Sequence, residues 1–335
     1  MSSTTVPLVA AAFTLSLLLP TTTLIAPPTS PAGVTGADEV EEVLAATPGA
    51  PALAQGSTLA EEGLVWEDDG IVTTVPGDPS NPATINIDGE MEIGLGVSAS
   101  TVLGEGESTP EGTTVFPVEG SADAYALQVL DGGSISLSAV TTSPQSDHSS
   151  AYTLTPGVVP VVQDTGAVAL YEDDVLVGIV EHPEAHDQNG DVVDSSYSVV
   201  EGELVQTVYP TADTAYPLVS TAAVGAFLTR GDYVHVTRGQ ASGHGWWVRG
   251  SSPALTAKVT VQLQYKPKQN SSWNNRGTAG VRVIKPGTAK RANARITCRS
   301  TASKQWRSWV DVDLIGYIDT PEKAYTGART LRCTL

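Results

Sequence analysis

The chain has few of the residue types on which helical and membrane proteins depend. Its 335 residues include only three Phe, two Met and two Cys, against 32 Gly and 22 Pro. No apolar run reaches the roughly 20 residues that a membrane-spanning helix requires, so beyond an N-terminal signal we predict no integral membrane span in the mature protein. Scarce Phe and Met with abundant turn residues favour short strands. With 41% apolar and 16% charged residues, the composition is typical of a globular protein, and the length allows about two domains.

Basic residues are absent from the first two thirds of the chain. Residues 1–230 contain one basic residue, Arg230, and 32 acidic residues, a formal charge of −31. Residues 231–335 contain 17 basic and five acidic residues, a formal charge of +12. Such asymmetry predicts an anionic partner for the basic part, or docking of the acidic part on the basic part. Two solvated surfaces of opposite charge are the alternative.

The N-terminus contains a segment typical of export. Val6–Leu19 is a 14-residue apolar stretch, the length of a signal-peptide hydrophobic region, although Met1–Thr5 carries no Lys or Arg. We predict a signal-like segment over residues 1–32, with cleavage as late as Ala54, and a secreted or cell-envelope location. A disordered Thr/Ala/Pro leader is the alternative.

Composition and alternation divide the rest of the chain. Residues 33–82 are acidic and rich in Ala, Gly and Pro; Ala37–Ala46 permits a short helix, but we predict a poorly ordered linker. Beyond it, short alternating segments separated by Asp-Gly turns indicate hairpins. We predict a mainly β fold with two antiparallel β domains of sandwich or small-barrel type, an acidic domain at 83–220 and a basic domain at 231–335.

Two segments of the basic part specify the faces of their strands. In Lys258–Lys266 apolar and polar residues alternate, which predicts one buried and one solvent-exposed face of the strand. In Trp306–Leu314 the same alternation places Arg307 and Trp309 on the face away from the core.

Cys298 and Cys333 are the only cysteines. In an exported protein an even pair predicts one disulfide, which here closes a loop of about 35 residues. Two cysteines supply only half the ligands of a structural zinc site.

Tyr171–Pro217 contains an ordered set of strand and turn signals: an apolar strand, a P-x-A-x-D-x-N-G turn, a Tyr strand, an L-x-Q-x-V strand and a closing Tyr-Pro. The positions are Pro183, Ala185, Asp187, Asn189, Gly190, Tyr197, Leu204, Gln206, Val208, Tyr216 and Pro217. This pattern resembles a module of exported actinobacterial proteins, whose usual Val-Ala-Asp-Pro after Tyr-Pro is here replaced by Leu218–Ser220. The C-terminal segments Lys290–Arg295 and Trp306–Tyr317, with the two cysteines, are similar to a small β domain of such proteins. The resemblance implies export and a β fold, and no chemistry.

Two segments of the acidic part have residue spacings similar to those of metal sites, but their other residues favour turns. Glu181–His186 carries two His and two Glu, but Pro183 lies where a metal-binding helix would have its first turn. Asp187–Asp191 begins like a calcium loop, yet its Asn-Gly is typical of a hairpin turn. We predict no metal and no cofactor.

Sequence motifs give no support for nucleophilic catalysis, since Gly-x-Ser-x-Gly is absent and the cysteines pair with each other. We therefore predict no catalytic residues. The alternative is a secreted hydrolase or toxin in which Asp232, His235 and His244 act as acid and base on an anionic polymer.

Five of the six tryptophans lie in the basic part, several beside arginine. An exposed indole next to a guanidinium stacks sugars or bases and holds phosphate or carboxylate; packing in a Phe-poor core is the alternative. The candidate binding residues are Trp246, Trp247, Arg249, Trp273, Arg276, Lys290, Arg291, Arg295, Arg299, Arg307 and Trp309. We predict a non-catalytic exported protein that binds an anionic polymer (an envelope glycopolymer, an acidic glycan or nucleic acid), or alternatively a protein-interaction module.

Overall fold

A computed structural model describes residues 36–60, 63–318 and 323–335. Its regular structure is almost entirely antiparallel β, in four sheets, with one short helix. This confirms the mainly β fold that the alternation predicted. The predicted signal-like segment, residues 1–32, lies outside the described residues. Within the described ranges, no helix is long and apolar enough to cross a membrane.

The chain up to residue 226 forms the helix and the strands of two large sheets. In chain order the elements are α1 (Ala37–Ala46), β1 (Thr58–Ala60), β2 (Gly63–Asp68), β3 (Ile71–Pro76), β4 (Ala83–Ile87), β5 (Met91–Val97), β6 (Glu107–Ser108), β7 (Thr113–Pro117), β8 (Ala124–Val129), β9 (Ile135–Thr141), β10 (Ser149–Leu154), β11 (Val158–Val162), β12 (Val168–Glu172), β13 (Val175–Val180), β14 (Glu184–His186), β15 (Ser195–Val200), β16 (Glu203–Val208) and β17 (Leu218–Ala226).

These strands form an antiparallel sandwich. One sheet has the order β1-β2-β3-β4-β5-β10-β16-β15, and the other has the order β11-β12-β13-β17-β9-β8-β7-β6, with β14 also paired to β17. Alternate residues of both sheets point into one hydrophobic core. Its members include Ile85, Ile93 and Leu95 from the first sheet and Leu127, Leu137 and Val224 from the second.

The β4–β5 hairpin shows how local sequence specifies this fold. Asp88 and Gly89 have φ values of 55° and 68°, and the Glu90 N–H donates to the Ile87 carbonyl at 3.0 Å. Two central residues with positive φ define the type I′ turn that joins right-twisted strands, and Asp-Gly adopts it readily. The predicted hairpin is confirmed.

The predicted linker is wrong over the described part of residues 33–82, which contains α1 and the first three strands. α1 packs through Val40 and Leu44 against the outside of the second sheet. Trp66 on β2 is buried, and its Nε1 donates to the Gln55 carbonyl at 3.2 Å. The acidic sequence carries little local signal for these elements, because their few apolar side chains are stabilised by distant strands rather than by one another.

Asp187 organises the turn of the Tyr171–Pro217 segment. Its Oδ1 accepts hydrogen bonds from the Asn189 and Asp191 N–H groups at 2.8 and 3.0 Å, and its Oδ2 accepts one from the Ala215 N–H at 3.0 Å. These backbone donors, above all Ala215, hold the pKa of the Asp187 carboxyl below its ordinary value. The role of this aspartate is therefore structural.

The last third of the chain forms two smaller sheets. Its strands are β18 (Leu228–Gly231), β19 (His235–Thr237), β20 (Gln240–Val248), β21 (Ala257–Lys266), β22 (Asn274–Ile284), β23 (Ala292–Thr297), β24 (Ser300–Leu314), β25 (Ala324–Tyr325) and β26 (Arg329–Thr334). In one sheet β18, β19 and β23 all pair with β20; the other has the order β22-β21-β24-β25, with β26 also paired to β24.

The two smaller sheets enclose a second hydrophobic cluster. Val259, Val261 and Leu263 of β21 are fully buried in it, together with Trp247 and Trp306. The predicted inward face of Lys258–Lys266 is thus confirmed. The predicted solvent-exposed face is wrong at Gln262 and Gln264, which are buried because the β22 backbone and Arg307 bind their amides. In β24 the side chains of Arg307 and Trp309 lie on the opposite, outer face, as predicted.

The disulfide Cys298–Cys333 is present and ties β26 to the end of β23. Cys333 is fully buried, and its carbonyl accepts a hydrogen bond from the Trp306 Nε1 at 3.0 Å. The bridge therefore fixes the last strand beside the second cluster.

The acidic and basic parts of the chain contact each other. Leu176 and Ile179 of β13 pack in the second cluster with Phe227. Arg230 forms an ion pair with Glu90 at 2.6 Å, at the tip of the β4–β5 hairpin. The proposed domain boundaries stay predictions, although β17 continues beyond residue 220.

Candidate functional site

The outer face of β21, β22, β24 and β25 carries a cluster of aromatic, cationic and amide side chains. Strand register brings them together: Gln264 lies opposite Arg307 and Asn275, while Trp309 lies opposite Tyr325. Directly paired residues project from the same face of a sheet. We name this cluster the aromatic face; its residues are Gln264, Trp273, Asn275, Arg307, Trp309 and Tyr325.

Arg307 is the centre of the aromatic face. Its guanidinium carbon lies 4.6 Å from the ring centroid of Trp273 and 4.3 Å from that of Tyr325. Its Nε donates to the Gln264 Oε1 at 2.7 Å. Partial burial lowers the pKa of Arg307 from its ordinary value, but an arginine remains charged in proteins. Among the described residues, no acceptor is bound to its two terminal nitrogens, so they can hold a ligand.

The amide groups of the face are held in fixed orientations. Asn275 Oδ1 accepts hydrogen bonds from Gln264 Nε2 at 2.9 Å and from Trp309 Nε1 at 3.3 Å. Two lysines add charge at the periphery: Lys266 Nζ lies 5.2 Å from the Trp273 centroid and Lys323 Nζ lies 5.1 Å from the Trp309 centroid. The face is therefore positively charged and largely preorganised.

This arrangement matches the chemistry of an acidic sugar. Partly exposed aromatic rings stack on the apolar faces of sugar rings. A guanidinium with free terminal nitrogens binds a carboxylate or phosphate through two parallel hydrogen bonds. The exposed Asn275 amide nitrogen supplies a fixed donor for a hydroxyl group, since the Gln264 and Asn275 amide oxygens already accept hydrogen bonds within the face.

A second cluster lies on the outside of the other small sheet. The Asp232 carboxylate accepts hydrogen bonds from His244 Nδ1, at 3.1 and 3.2 Å to its two oxygens, and from Arg291 Nη1 at 2.8 Å. The His235 ring stacks on the His244 ring, with centroids 5.2 Å apart. Arg291 in turn lies 4.2 Å from the centroid of Trp246. We name Asp232, His235, His244 and Arg291 the histidine cluster.

The histidine cluster unites the three residues of the predicted acid–base alternative, whose catalytic role stays a prediction. His244 Nε2 lies 3.4 Å from Ser242 Oγ, so Ser242, His244 and Asp232 form a chain of hydrogen bonds. However, Ser242 is only 4% exposed, and its hydroxyl also receives a hydrogen bond from Asn293 Nδ2 at 3.1 Å. A polymer chain cannot reach this hydroxyl, so we assign it no nucleophilic role.

The structure separates the predicted binding residues into groups. Trp273, Arg307 and Trp309 meet on the aromatic face, and Trp246 and Arg291 meet at the histidine cluster. Arg276 belongs to neither cluster: it pairs with Leu263, on the other face of the sheet, and lies 5.9 Å from the Tyr265 ring. The exposed residues Lys290, Arg295 and Arg299 have no place in the aromatic face.

Trp247 and Arg249 lie outside both clusters. Trp247 is wrong as a binding residue: it is fully buried and its Nε1 donates to the Ile284 carbonyl at 3.2 Å. The physical reason is alternation, since Trp246 and Trp247 project to opposite faces of β20. Arg249 Nε donates to the Ser252 carbonyl at 2.9 Å beside a cavity of about 670 Å³ that Glu181 also lines.

Sequence reasoning missed Gln264, Asn275 and Tyr325 as site residues. Gln264 could have been found, because it belongs to the polar face of an alternating strand. Asn275 and Tyr325 carry no local signal, since only the pairing of β22 and β25 brings them beside Arg307 and Trp309.

Comparisons with known proteins add little. No protein-family model matches the chain, and no curated protein matches it. Among solved structures, the chain is similar to a DUF3823 family protein from Bacteroides ovatus ATCC 8483, at 12% identity and a TM-score of 0.17. The match covers 48% of this chain and 94% of that chain. A likeness at this TM-score carries no argument about fold or function.

Proposed function

We propose that this is an exported, non-catalytic protein whose aromatic face binds an anionic glycan, such as an envelope glycopolymer or an acidic polysaccharide. The observation that supports it most strongly is Arg307, which lies between two aromatic rings with its Nε anchored by Gln264 and its terminal nitrogens directed to no acceptor among the described residues. Export is supported by the disulfide, which is typical of oxidising compartments, and by the signal-like segment. The actinobacterial resemblance stays a prediction.

Nucleic acid and protein partners are less well supported. Stacking on Trp273 or Trp309 suits a base as well as a sugar, but rings that flank one guanidinium and one amide donor suit a sugar that carries both an acidic group and hydroxyls. A protein partner would also contact Trp, Tyr and Arg side chains, but the six residues of this face are far fewer than the roughly 20–30 residues a side of a stable protein interface.

Arg307→Ala is expected to weaken binding of the full chain to an immobilised acidic polysaccharide by at least about tenfold, because one charge-assisted hydrogen-bonding group contributes about 1.5–3 kcal/mol. Arg295→Ala, which removes the same charge from an exposed position on β23, is the matched control and should change the affinity by less than about threefold. The measurement is surface plasmon resonance at several salt concentrations. If both variants weaken binding equally, general charge rather than the aromatic face is responsible, and the proposal fails.

We also propose that the acidic part docks on the basic part and weakens its binding to polyanions. The Arg230–Glu90 ion pair and the shared second cluster support this docking. Glu90→Gln is expected to raise the salt concentration at which the chain elutes from a heparin column, because it releases Arg230 and removes a negative charge. Glu67→Gln, which removes an exposed acid on β2, is the control. Equal shifts for the two variants would contradict a specific role of the ion pair.

A further inference from the structure

We propose that Asp232, His235 and His244 form a binding site for a divalent transition-metal ion of the zinc class. Each residue offers one ligand atom, and these three atoms all lie within 4.8 Å of one another. It is the one group of three such ligands found in the part of the chain that the structure describes. Two imidazoles and a carboxylate are a donor set that zinc, nickel and copper prefer over calcium or magnesium. This inference is independent of the glycan proposal, because it concerns a different sheet.

The spacing of Asp232 and His244 already matches a coordination sphere. Two ligands about 2.0–2.1 Å from a tetrahedral zinc ion are about 3.3 Å apart. His244 Nδ1 lies 3.1 and 3.2 Å from the two carboxylate oxygens of Asp232. The contact that is a hydrogen bond in the metal-free protein therefore becomes one edge of a tetrahedron when a metal replaces the proton.

His235 supplies the third ligand from the neighbouring strand. It lies directly opposite Ser242 in the β19–β20 pair, and its ring stacks on that of His244 with centroids 5.2 Å apart. His235 is exposed, so its ring can rotate towards the other two ligands without disturbing the core, and an ion can enter from solvent. Three protein ligands leave a fourth position for water or another ligand, as in zinc sites that are not purely structural.

Neighbouring groups orient these ligands. Arg291 Nη1 donates to Asp232 Oδ2 at 2.8 Å, and the backbone N–H of His244 donates to Asp232 Oδ1 at 3.1 Å. His244 Nε2 lies 3.4 Å from Ser242 Oγ, and when Nε2–H donates to this hydroxyl, Nδ1 keeps its lone pair for the metal. Hydrogen bonds of this kind, from the second nitrogen of a histidine and to the carboxylate, are typical of metal sites.

The test is zinc binding by the full chain after treatment with EDTA and dialysis, measured by isothermal titration calorimetry with zinc chloride. We expect saturable binding of about one zinc ion per chain. His235→Ala should weaken it by at least about tenfold, since loss of even an outer-sphere partner costs that much. Because His235 is exposed, this variant should keep the near-ultraviolet circular dichroism of the parent, which makes a folding defect separable.

His182→Ala, which removes an exposed histidine from the acidic part, is the matched control and should leave the affinity unchanged. Quenching of tryptophan fluorescence by nickel chloride gives a second readout, since Trp246 lies beside Arg291 of the histidine cluster. Quenching should persist in the control and decrease in His235→Ala. The proposal is overturned if the parent shows no saturable zinc binding, or if the parent, His235→Ala and His182→Ala chains bind zinc equally.

Discussion

Replacing Trp247 by alanine is expected to lower the free energy of unfolding by about 3–5 kcal/mol, the cost typical of removing a large aromatic side chain from a packed core. Trp247 is fully buried between the two small sheets. Its Nε1 donates to the Ile284 carbonyl at 3.2 Å. The substitution therefore leaves both a cavity and a buried carbonyl acceptor without its partner.

The neighbouring Trp246 provides the matched control. It projects from the outer face of β20, where it contacts Arg291, and it is only partly buried against the second cluster, so Trp246→Ala should cost clearly less, about 1–2 kcal/mol. Chemical denaturation of the two variants, followed by far-ultraviolet circular dichroism, measures the difference. Equal costs for the two substitutions would show that the strand does not divide these residues between core and surface.

Removal of the disulfide by the double substitution Cys298→Ala and Cys333→Ala is expected to destabilise the protein by about 3–4 kcal/mol. Closing a loop of 35 residues restricts the unfolded chain by about this amount in the loop-entropy model. The native contacts of β26 remain in the variant, including the hydrogen bond from Trp306 Nε1 to the Cys333 carbonyl, so the folded state should be retained.

Reduction provides an independent check of the disulfide prediction. Dithiothreitol should lower the midpoint of denaturation of the parent towards that of the double variant, and it should leave the double variant itself unchanged. A double variant as stable as the oxidised parent would refute the expected contribution. If the double variant loses as much stability in dithiothreitol as the parent does, the reagent acts on something other than this disulfide.

In our two proposals, the aromatic face and the histidine cluster bind different ligands. The first presents stacked rings around a cation, which suits an extended anionic glycan. The second presents two imidazoles beside a carboxylate, which suits a metal ion. Because the two clusters lie on different sheets, Arg307→Ala should spare zinc binding and His235→Ala should spare glycan binding.

The faces of individual strands could be predicted from local alternation. In Lys258–Lys266 and Trp306–Leu314 the apolar positions repeat every second residue, so Arg307 and Trp309 were placed correctly on the outer face. The Asp88-Gly89 turn was predictable because so few dipeptides adopt positive φ at both positions. The tryptophan pair Trp246–Trp247 was not resolved, because Gly243 and Gly245 precede it and leave the alternation on that side without an apolar signal.

The partners of these strands could not be predicted in the same way. Gln264 and Arg307 are 43 residues apart in sequence, and Asp232 and Arg291 are 59 residues apart. Their meeting depends on strand order and register, which arise from the packing of whole sheets. The same reason explains the failure over α1, whose acidic sequence forms a helix against β strands that come much later in the chain.

Residue order alone therefore established the all-β character, the separation of charge, the disulfide pairing and the orientation of single strands, because each of these depends on neighbours in the chain. Folding in three dimensions established which outward-facing side chains lie together. It placed Tyr325 and Asn275 around Arg307 and brought His235 to the Asp232–His244 pair, because contacts between distant strands are selected by the burial of their opposite faces in a common core.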